Sequence, residues 1–393
     1  MKIETGSQGA LRRETLRRQF PAVTGKDPVD LVDVFERIGP VQSQAPRAPF
    51  LAAAARLPGI TAAALTEAFE QHQLVLGSSL RGTVHTSTPG QFRLLHGACA
   101  PRRAADLSRM FGLEGSTASQ LVAEIERAAT GRWCDRSGLV AHIVAWLEQE
   151  DPIPDRPAPT TMTENLVWGH PGLLRRPRGH EWHRRGETVH RLAAAVLRDQ
   201  PADHPAIIDA EVAREALVRL HLSAYGPSTR RDIAWWLGEK VTAVDSTVRQ
   251  LGDEITAQSQ PGGDPLLDLA ESPAGGNPEP GVRLLPEFDG LLLGFAPPNR
   301  DRFLRPEHLP YVWNRANGLF RPVVLADDHL VATWRLTTVR GRTALEVTML
   351  PGEVVLGSAR LADPAAALAA ALAQPVDEIH ARPAVTAGHG GGG

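Results

Sequence analysis

The sequence predicts an α+β chain in which tandem winged helix-turn-helix motifs are followed by a small C-terminal β-barrel. Three observations predict it. Before about residue 280, apolar residues recur at helical spacing and are broken by short alternating runs. A loop-forming stretch rich in Pro, Gly and Asp, PGGDPLLDLAESPAGGNPEPG at 261–281, then interrupts the pattern. Beyond it, short alternating runs separated by turn residues dominate. At 393 residues the chain is long enough for several domains, because single cores stop growing at roughly 250–300 residues.

Residues 10–90 form the first expected unit. Leu31, Val34, Phe35 and Ile38 lie at i, i+3, i+4 and i+7 after Asp27-Pro28, and Gly39-Pro40 stops that helix. Pro49–Arg56 and Thr61–His72 supply two more helices, and LRGTVHTST then alternates like a strand. In the second unit, 91–200, Leu121 and Ile125, then Leu139, Ile143 and Leu147, mark two helices. A third helix starts near Thr160, and LLRRPRGHEWHRRGE reads as a hairpin. The third unit, 201–270, has the clearest pattern. A helix at Val212–Ser223 meets the Gly226-Pro227 turn, Ser228 caps a helix to Leu237, and Thr242 caps another carrying Val244, Val248 and Leu251. Three short helices and a hairpin describe a winged helix, although a plain helical bundle has similar caps and spacing.

The last domain, 282–378, is expected to hold strands Val282–Leu285, Leu291–Phe295, Pro322–Leu325, His329–Leu336, Thr343–Met349 and Glu353–Leu356, with turns at Asp327-Asp328 and Pro351-Gly352. An Ala-rich helix follows at Pro364–Gln374, and the tail, 379–393, is expected to be disordered.

A formal charge of −3 excludes a histone-like basic protein, so any polyanion must be held by a local patch. Cys99 and Cys134 are the only cysteines, which excludes a disulfide framework and a four-cysteine metal site. Without an apolar signal-like or membrane-length run, the expectation is a soluble, cytoplasmic protein with no membrane association. No G-x-S-x-G, Walker loop or H-E-x-x-H occurs, and no metal or cofactor is expected. Only three lysines are present, Lys2, Lys26 and Lys240, so Schiff-base chemistry has few candidate amines.

Two segments carry possible chemistry. Arg175, Arg176, Arg178, Arg184 and Arg185 stand against the single Glu181, with His170, His180, His183 and His190 nearby. This hairpin suits a phosphate backbone, or is simply a solvated loop in an arginine-rich chain. In VQSQAPRAPF, Gln42 and Gln44 share one side of an extended stretch, so two neutral amides project together near Arg47. They could hold a water molecule without any shifted pKa, or form an ordinary surface pair.

The runs GPVQSQAPRAPFLAAAARLPGI, SSLRGTVHTSTPGQF, SAYGPSTRRDIAWWLG, RLLPEFDGLLLGF and VVLADDHLVATWRL occur in this order between about residues 10 and 375. Together they resemble the AlkZ/YcaQ superfamily of winged-helix DNA glycosylases. The resemblance implies tandem winged helices followed by a β-barrel, with Gln42 and Gln44 as the catalytic pair of a Gln-x-Gln motif. The second glutamine is similar to the AlkZ-like branch, and Ser43 stands where the family usually has an apolar residue. It further implies a monofunctional glycosylase that removes N7-alkylguanine, including bulky adducts and interstrand crosslinks, in self-resistance to a DNA-alkylating natural product. Arg47, Arg81, Thr83 and His85 lie in the same blocks and are expected to line the DNA cleft, with the hairpin arginines as further DNA contacts. Double-stranded DNA containing alkylated guanine is then the partner, and three DNA-binding units in one chain suit a monomer. Glu287 and Asp289 are expected to anchor the C-terminal domain to the helical part. The alternative function is a non-catalytic winged-helix transcription regulator or drug-binding protein.

Overall fold

The computed structural model describes residues 8–20, 31–153, 159–198, 208–260, 262–271, 280–316 and 318–384. The first unit contains α1 (Gln8–Gln19), α2 (Leu31–Ile38), β1 (Val41–Gln42), α3 (Ala48–Arg56), α4 (Ala62–Glu70), β2 (Val75–Ser78) and β3 (Val84–Ser87). In α2 the apolar stripe Leu31, Val34, Phe35 and Ile38 is buried, each side chain contributing about 1.5–3 kcal/mol over an exposed position. The helix start expected at Asp27-Pro28 lies outside the described residues.

The second unit contains α5 (Pro89–Phe111), α6 (Ala118–Thr130), β4 (Cys134–Asp135), α7 (Arg136–Glu150), α8 (Pro159–Gly169), β5 (Leu173–Pro177), β6 (Thr188–Leu192) and α9 (Ala193–Val196). Thr88 with Gln91 and Thr117 with Gln120 form capping boxes that start α5 and α6, and Asp135 caps α7. A hairpin starts where expected, at β5, but its second strand, β6, lies beyond the expected 173–187, which otherwise forms the connection. The hairpin does not stand apart as a separate wing, because β5 pairs with β2 at Gly77↔Leu174. The strands of both units therefore make one six-stranded sheet in the order β1-β3-β2-β5-β6-β4. Glycine is required at the junction, since a Cβ on Gly77 would lie 2.5 Å from the Phe92 ring.

In the third unit, α10 (Ala210–Tyr225), β7 (Ser228–Thr229), α11 (Arg230–Leu237) and α12 (Val241–Leu251) precede β8 (Ile255–Gln258) and β9 (Leu266–Leu269), and the strands pair in the order β7-β9-β8. The cap of α11 is Thr229, boxed with Asp232, rather than Ser228, and the cap position of α12 is Lys240, which places Thr242 inside the helix rather than at its cap. Gly238 ends the helix in the left-handed region.

The C-terminal part contains β10 (Val282–Leu285), α13 (Gly290–Leu293), α14 (Leu309–Val312), β11 (Trp313–Asn314), β12 (Leu319–Phe320), β13 (Val323–Ala326), β14 (His329–Val339), β15 (Arg342–Met349), α15 (Ser358–Leu372) and β16 (Glu378–Arg382). Its main sheet, β10-β13-β14-β15-β16, is open among the described residues, so the barrel expectation is not met. The reason is the connection: β15 and β16 are parallel, which requires a crossover, and α15 supplies it while packing on the sheet's inner face with Leu361, Leu368 and Leu372. The strand expected at Leu291–Phe295 is a helical turn, and Glu353–Leu356 forms no strand. Residues 379–382, expected to begin the disordered tail, pair with β15, whereas 385–393 lie outside the described residues.

Two apolar cores tie the C-terminal part to the rest. Phe50, Leu65 and Phe69 pack with Trp334, Leu345 and Val347, and Leu217 and Tyr225 pack with Leu291 and Phe295. The second unit keeps its own core of Leu121, Ile125, Leu139, Ile143 and Leu147. No helix among the described residues is long and apolar enough to cross a membrane.

Candidate active site

Gln42 ends β1, directly opposite His85 in β3, and Ser43 extends the ladder by donating its N–H to the Val84 carbonyl at 2.7 Å. The chain then leaves the sheet towards α3. Gln42 is 8% exposed whereas Gln44 is exposed, yet their side chains meet: Gln42 Nε2 donates to Gln44 Oε1 at 2.7 Å. The expected adjacency of the two amides is present in the structure. Ser43 is buried, and its hydroxyl bonds the Val41 carbonyl and Thr86 Oγ1, each at 2.8 Å. A polar residue at this buried position is thereby satisfied.

Gln44 and Ser43 line a cleft of about 530 Å³, whose other walls include Trp168 of α8, Asp135 and Arg136 at the start of α7, and the connection between β5 and β6. That connection reaches across to the first unit. Trp182 stacks on Phe69 at 4.4 Å with ring planes 10° apart, and its indole N–H donates to Glu70 Oε1 at 2.8 Å. His180 Nδ1 lies 2.9 Å from the same carboxylate oxygen. The tip is thus anchored over the cleft by an aromatic stack that charge counting alone does not reveal.

The arginines divide by strand alternation. Arg175 is buried, with its guanidinium 4.1 Å from the Trp168 ring centroid and bonded to the Trp168 carbonyl at 2.7 Å; burial pulls it down to about 10. Arg176, on the opposite face, stacks over Trp133 at 4.8 Å. Both guanidiniums are thus held by tryptophans, Arg175 at the wall of the same cleft and Arg176 half-buried away from it. Arg178, Arg184 and Arg185 are exposed at the cleft. Arg178 and Arg184 pair with Glu187 at 2.8 Å and Glu181 at 2.9 Å, and such exposed pairs are weak enough to exchange for phosphate.

The other expected DNA contacts are also committed internally. Arg47 donates from Nε to Glu287 Oε1 at 3.1 Å and lies over the Trp334 ring, joining α3 to the C-terminal sheet. Arg56 and Asp289, with side chains 1% and 2% exposed, form a second bridge at 3.0 and 3.1 Å. Glu287 and Asp289 therefore anchor the C-terminal part as expected. Nearby, Gly290 and Gly294 let Tyr225 pack against bare backbone: a Cβ at either position would lie within 2.7 Å of the tyrosine. Thr83 spends its hydroxyl on the Leu80 carbonyl at 3.1 Å. His85 Nδ1 lies 3.0 Å from Ser79 Oγ and 3.1 Å from the Thr83 carbonyl. Burial, reinforced by the Arg81 charge, pushes His85 down to about 3, so its ring is neutral at physiological pH.

Arg81 lies behind the glutamines. Its Nη2 donates to Gln42 Oε1 at 3.1 Å, its Nη1 donates to the Trp236 carbonyl at 2.6 Å, and its guanidinium sits 4.6 Å from the Trp235 ring centroid. Asp135, the carboxylate nearest the start of α7, is engaged in capping by Gly138 N and Ser137 Oγ.

The arrangement suits water positioning by neutral groups at the wall of a cleft rimmed by cations. Residues 35–377 match the family described as DNA glycosylase AlkZ-like. The Interstrand DNA cross-link repair glycosylase of Streptomyces sahachiroi is 27% identical over 270 residues, which cover 66% of this chain and 69% of that protein. The solved structure of Streptomyces sahachiroi DNA glycosylase AlkZ superimposes with a TM-score of 0.73 at 23% identity, over 95% of this chain and 98% of that one. With a match spanning most of its length, this chain belongs to the AlkZ-like family of DNA glycosylases.

Proposed function

We propose that this glycosylase hydrolyses the N-glycosidic bond of N7-alkylguanine in double-stranded DNA, including bulky genotoxin adducts and interstrand crosslinks. Its role is DNA repair and self-resistance to a DNA-alkylating natural product, acting as a cytoplasmic monomer. The relative's crosslink-repair activity supports the substrate class. The observation that carries the reading is the hydrogen bond from Gln42, behind the cleft, to Gln44 on its wall.

Alkylation makes the purine cationic, so it departs without being protonated. Water attacks C1′, the C1′–N9 bond breaks with its electron pair neutralising the ring, and the excess proton of the attacking water passes to solvent. The protein's task is to orient that water and stabilise the oxocarbenium-like sugar, which amide carbonyl oxygens do without acting as bases. Gln44 Oε1 retains a second lone pair for a water proton while accepting from Gln42. The reaction is monofunctional, a reading supported by the described residues, whose one lysine, Lys240, is exposed at the start of α12 away from the cleft lining, while Lys2 and Lys26 lie outside them. Arg178, Arg184 and Arg185 contact the phosphate backbone. The three helical units act as winged helices, a reading supported by the order of α10, α11 and α12 with their three-stranded sheet.

The test is base release from a duplex with one N7-methylguanine and from a duplex crosslinked through guanine N7, followed by mass spectrometry. Free alkylated base and separated strands are expected. Binding without release, or equal release of unmodified guanine, contradicts the proposal.

A further inference from the structure

We infer that Arg81 is a positioning residue that sets the orientation of both glutamine amides; the inference rests on the proposed catalytic role of that pair. A guanidinium has only donors, so the Gln42 atom facing it at 3.1 Å must be the carbonyl oxygen. The Gln42 nitrogen then faces outward, and only an acceptor can meet it, so Gln44 turns its carbonyl oxygen inward at 2.7 Å. One donor-only group thus orders two amides in series. Were the Gln42 amide reversed, Arg81 would meet an NH₂ group, and Gln44 would have to offer NH₂ where the water needs an acceptor.

The guanidinium is itself held on three sides. Residue 81 has φ 51°, a left-handed conformation that a side-chain-bearing residue adopts only where its surroundings impose it. The Trp236 carbonyl belongs to the last turn of α11, where helix carbonyls lack intrahelical partners and the dipole favours a cation. Trp235 supplies an aromatic face, with Arg300 4.8 Å from the centroid of the same ring. Arg81 therefore connects the third unit's α11 to the catalytic pair of the first unit.

The experiment measures single-turnover base release and duplex affinity for Arg81→Ala, Arg81→Lys and Gln44→Ala, with melting curves for each. For Arg81→Ala the expected result is a rate reduced by about 10- to 100-fold with duplex affinity changed by less than about twofold. Free guanidinium chloride should restore part of that rate, and equal sodium chloride should not. If Arg81→Ala does not fold, Arg81→Lys is read instead, because an ammonium cannot make both bonds of the fork and should also slow release. An unchanged rate, or a loss fully explained by weaker DNA binding, overturns the inference. A fully active Gln44→Ala would instead overturn the catalytic role of the pair, so the two failures are distinguishable.

Discussion

The neutral groups proposed for catalysis have a consequence that charged ones do not. Neither Gln42 nor Gln44 titrates, His85 stays neutral until far into acid, and a cationic leaving base requires no proton. The single-turnover release rate on N7-methylguanine should therefore be flat between roughly pH 6 and 9. A bell-shaped profile with a carboxylate-like or imidazole-like limb would contradict the account. At this scale the pair itself was legible, because extended chain puts alternate side chains together. The role of Arg81 was not: it depends on a left-handed backbone residue and on a helix end more than 150 residues away, neither of which a local pattern encodes.

The β5–β6 hairpin shows how an element sorts charge. Arg175 and Arg176 are consecutive on a strand, so they face opposite sides and each finds a tryptophan, while the connecting residues remain in water. Changing Arg184 and Arg185 to Gln should weaken duplex binding and reduce the slope of log Kd against log salt by about one per arginine. Arg175→Gln should leave that slope unchanged and instead lower stability by about 1–3 kcal/mol, since it removes a buried bond to the Trp168 carbonyl, which then keeps only the Ser78 hydroxyl, and the stack on the Trp168 ring. Titrating binding across a salt series alongside urea melts checks both; a reduced slope for Arg175→Gln would contradict the assignment. Helices with a clean apolar stripe, such as α2 and α7, were legible, but their exact starts were not: the caps expected at Ser228 and Thr242 fall at Thr229 and Lys240. Nothing in the periodicity marks α5, whose apolar positions are interrupted by Gly97, Pro101, Arg102 and Arg103.

Across the whole molecule, each helical unit buries a neutral histidine. Burial pushes His85, His170 and His190 down to about 3 and His221 to about 4. Their ordinary value is near 6.5, so between about pH 6.5 and those lowered values the unfolded chain binds more protons than the fold. Stability is complete above 6.5 and falls as the pH drops, by up to about 1.4 kcal/mol per pH unit for each histidine. Urea midpoints should be lower at pH 5.5 than at 7.5, and His221→Gln should flatten that dependence; a midpoint that rises on acidification would contradict it. The composition break at 261–281 and the run of strands beyond it foretold a β-rich C-terminal part, though not the two cores it shares with the helical units. Its openness was not legible, because a parallel final pair depends on where α15 lands. Nor was the joining of two hairpins into one sheet, which rests on the single pair Gly77↔Leu174.

The central claim is that two hydrogen-bonded amides carry the chemistry. Its most direct test is alkali-revealed strand breakage at a single N7-methylguanine, comparing the wild type with the Gln42→Ala/Gln44→Ala double variant at saturating protein. The predicted result is rapid abasic-site formation by the wild type and a rate at least about 100-fold lower in the variant, with DNA binding retained. Equal rates for the two proteins would contradict it.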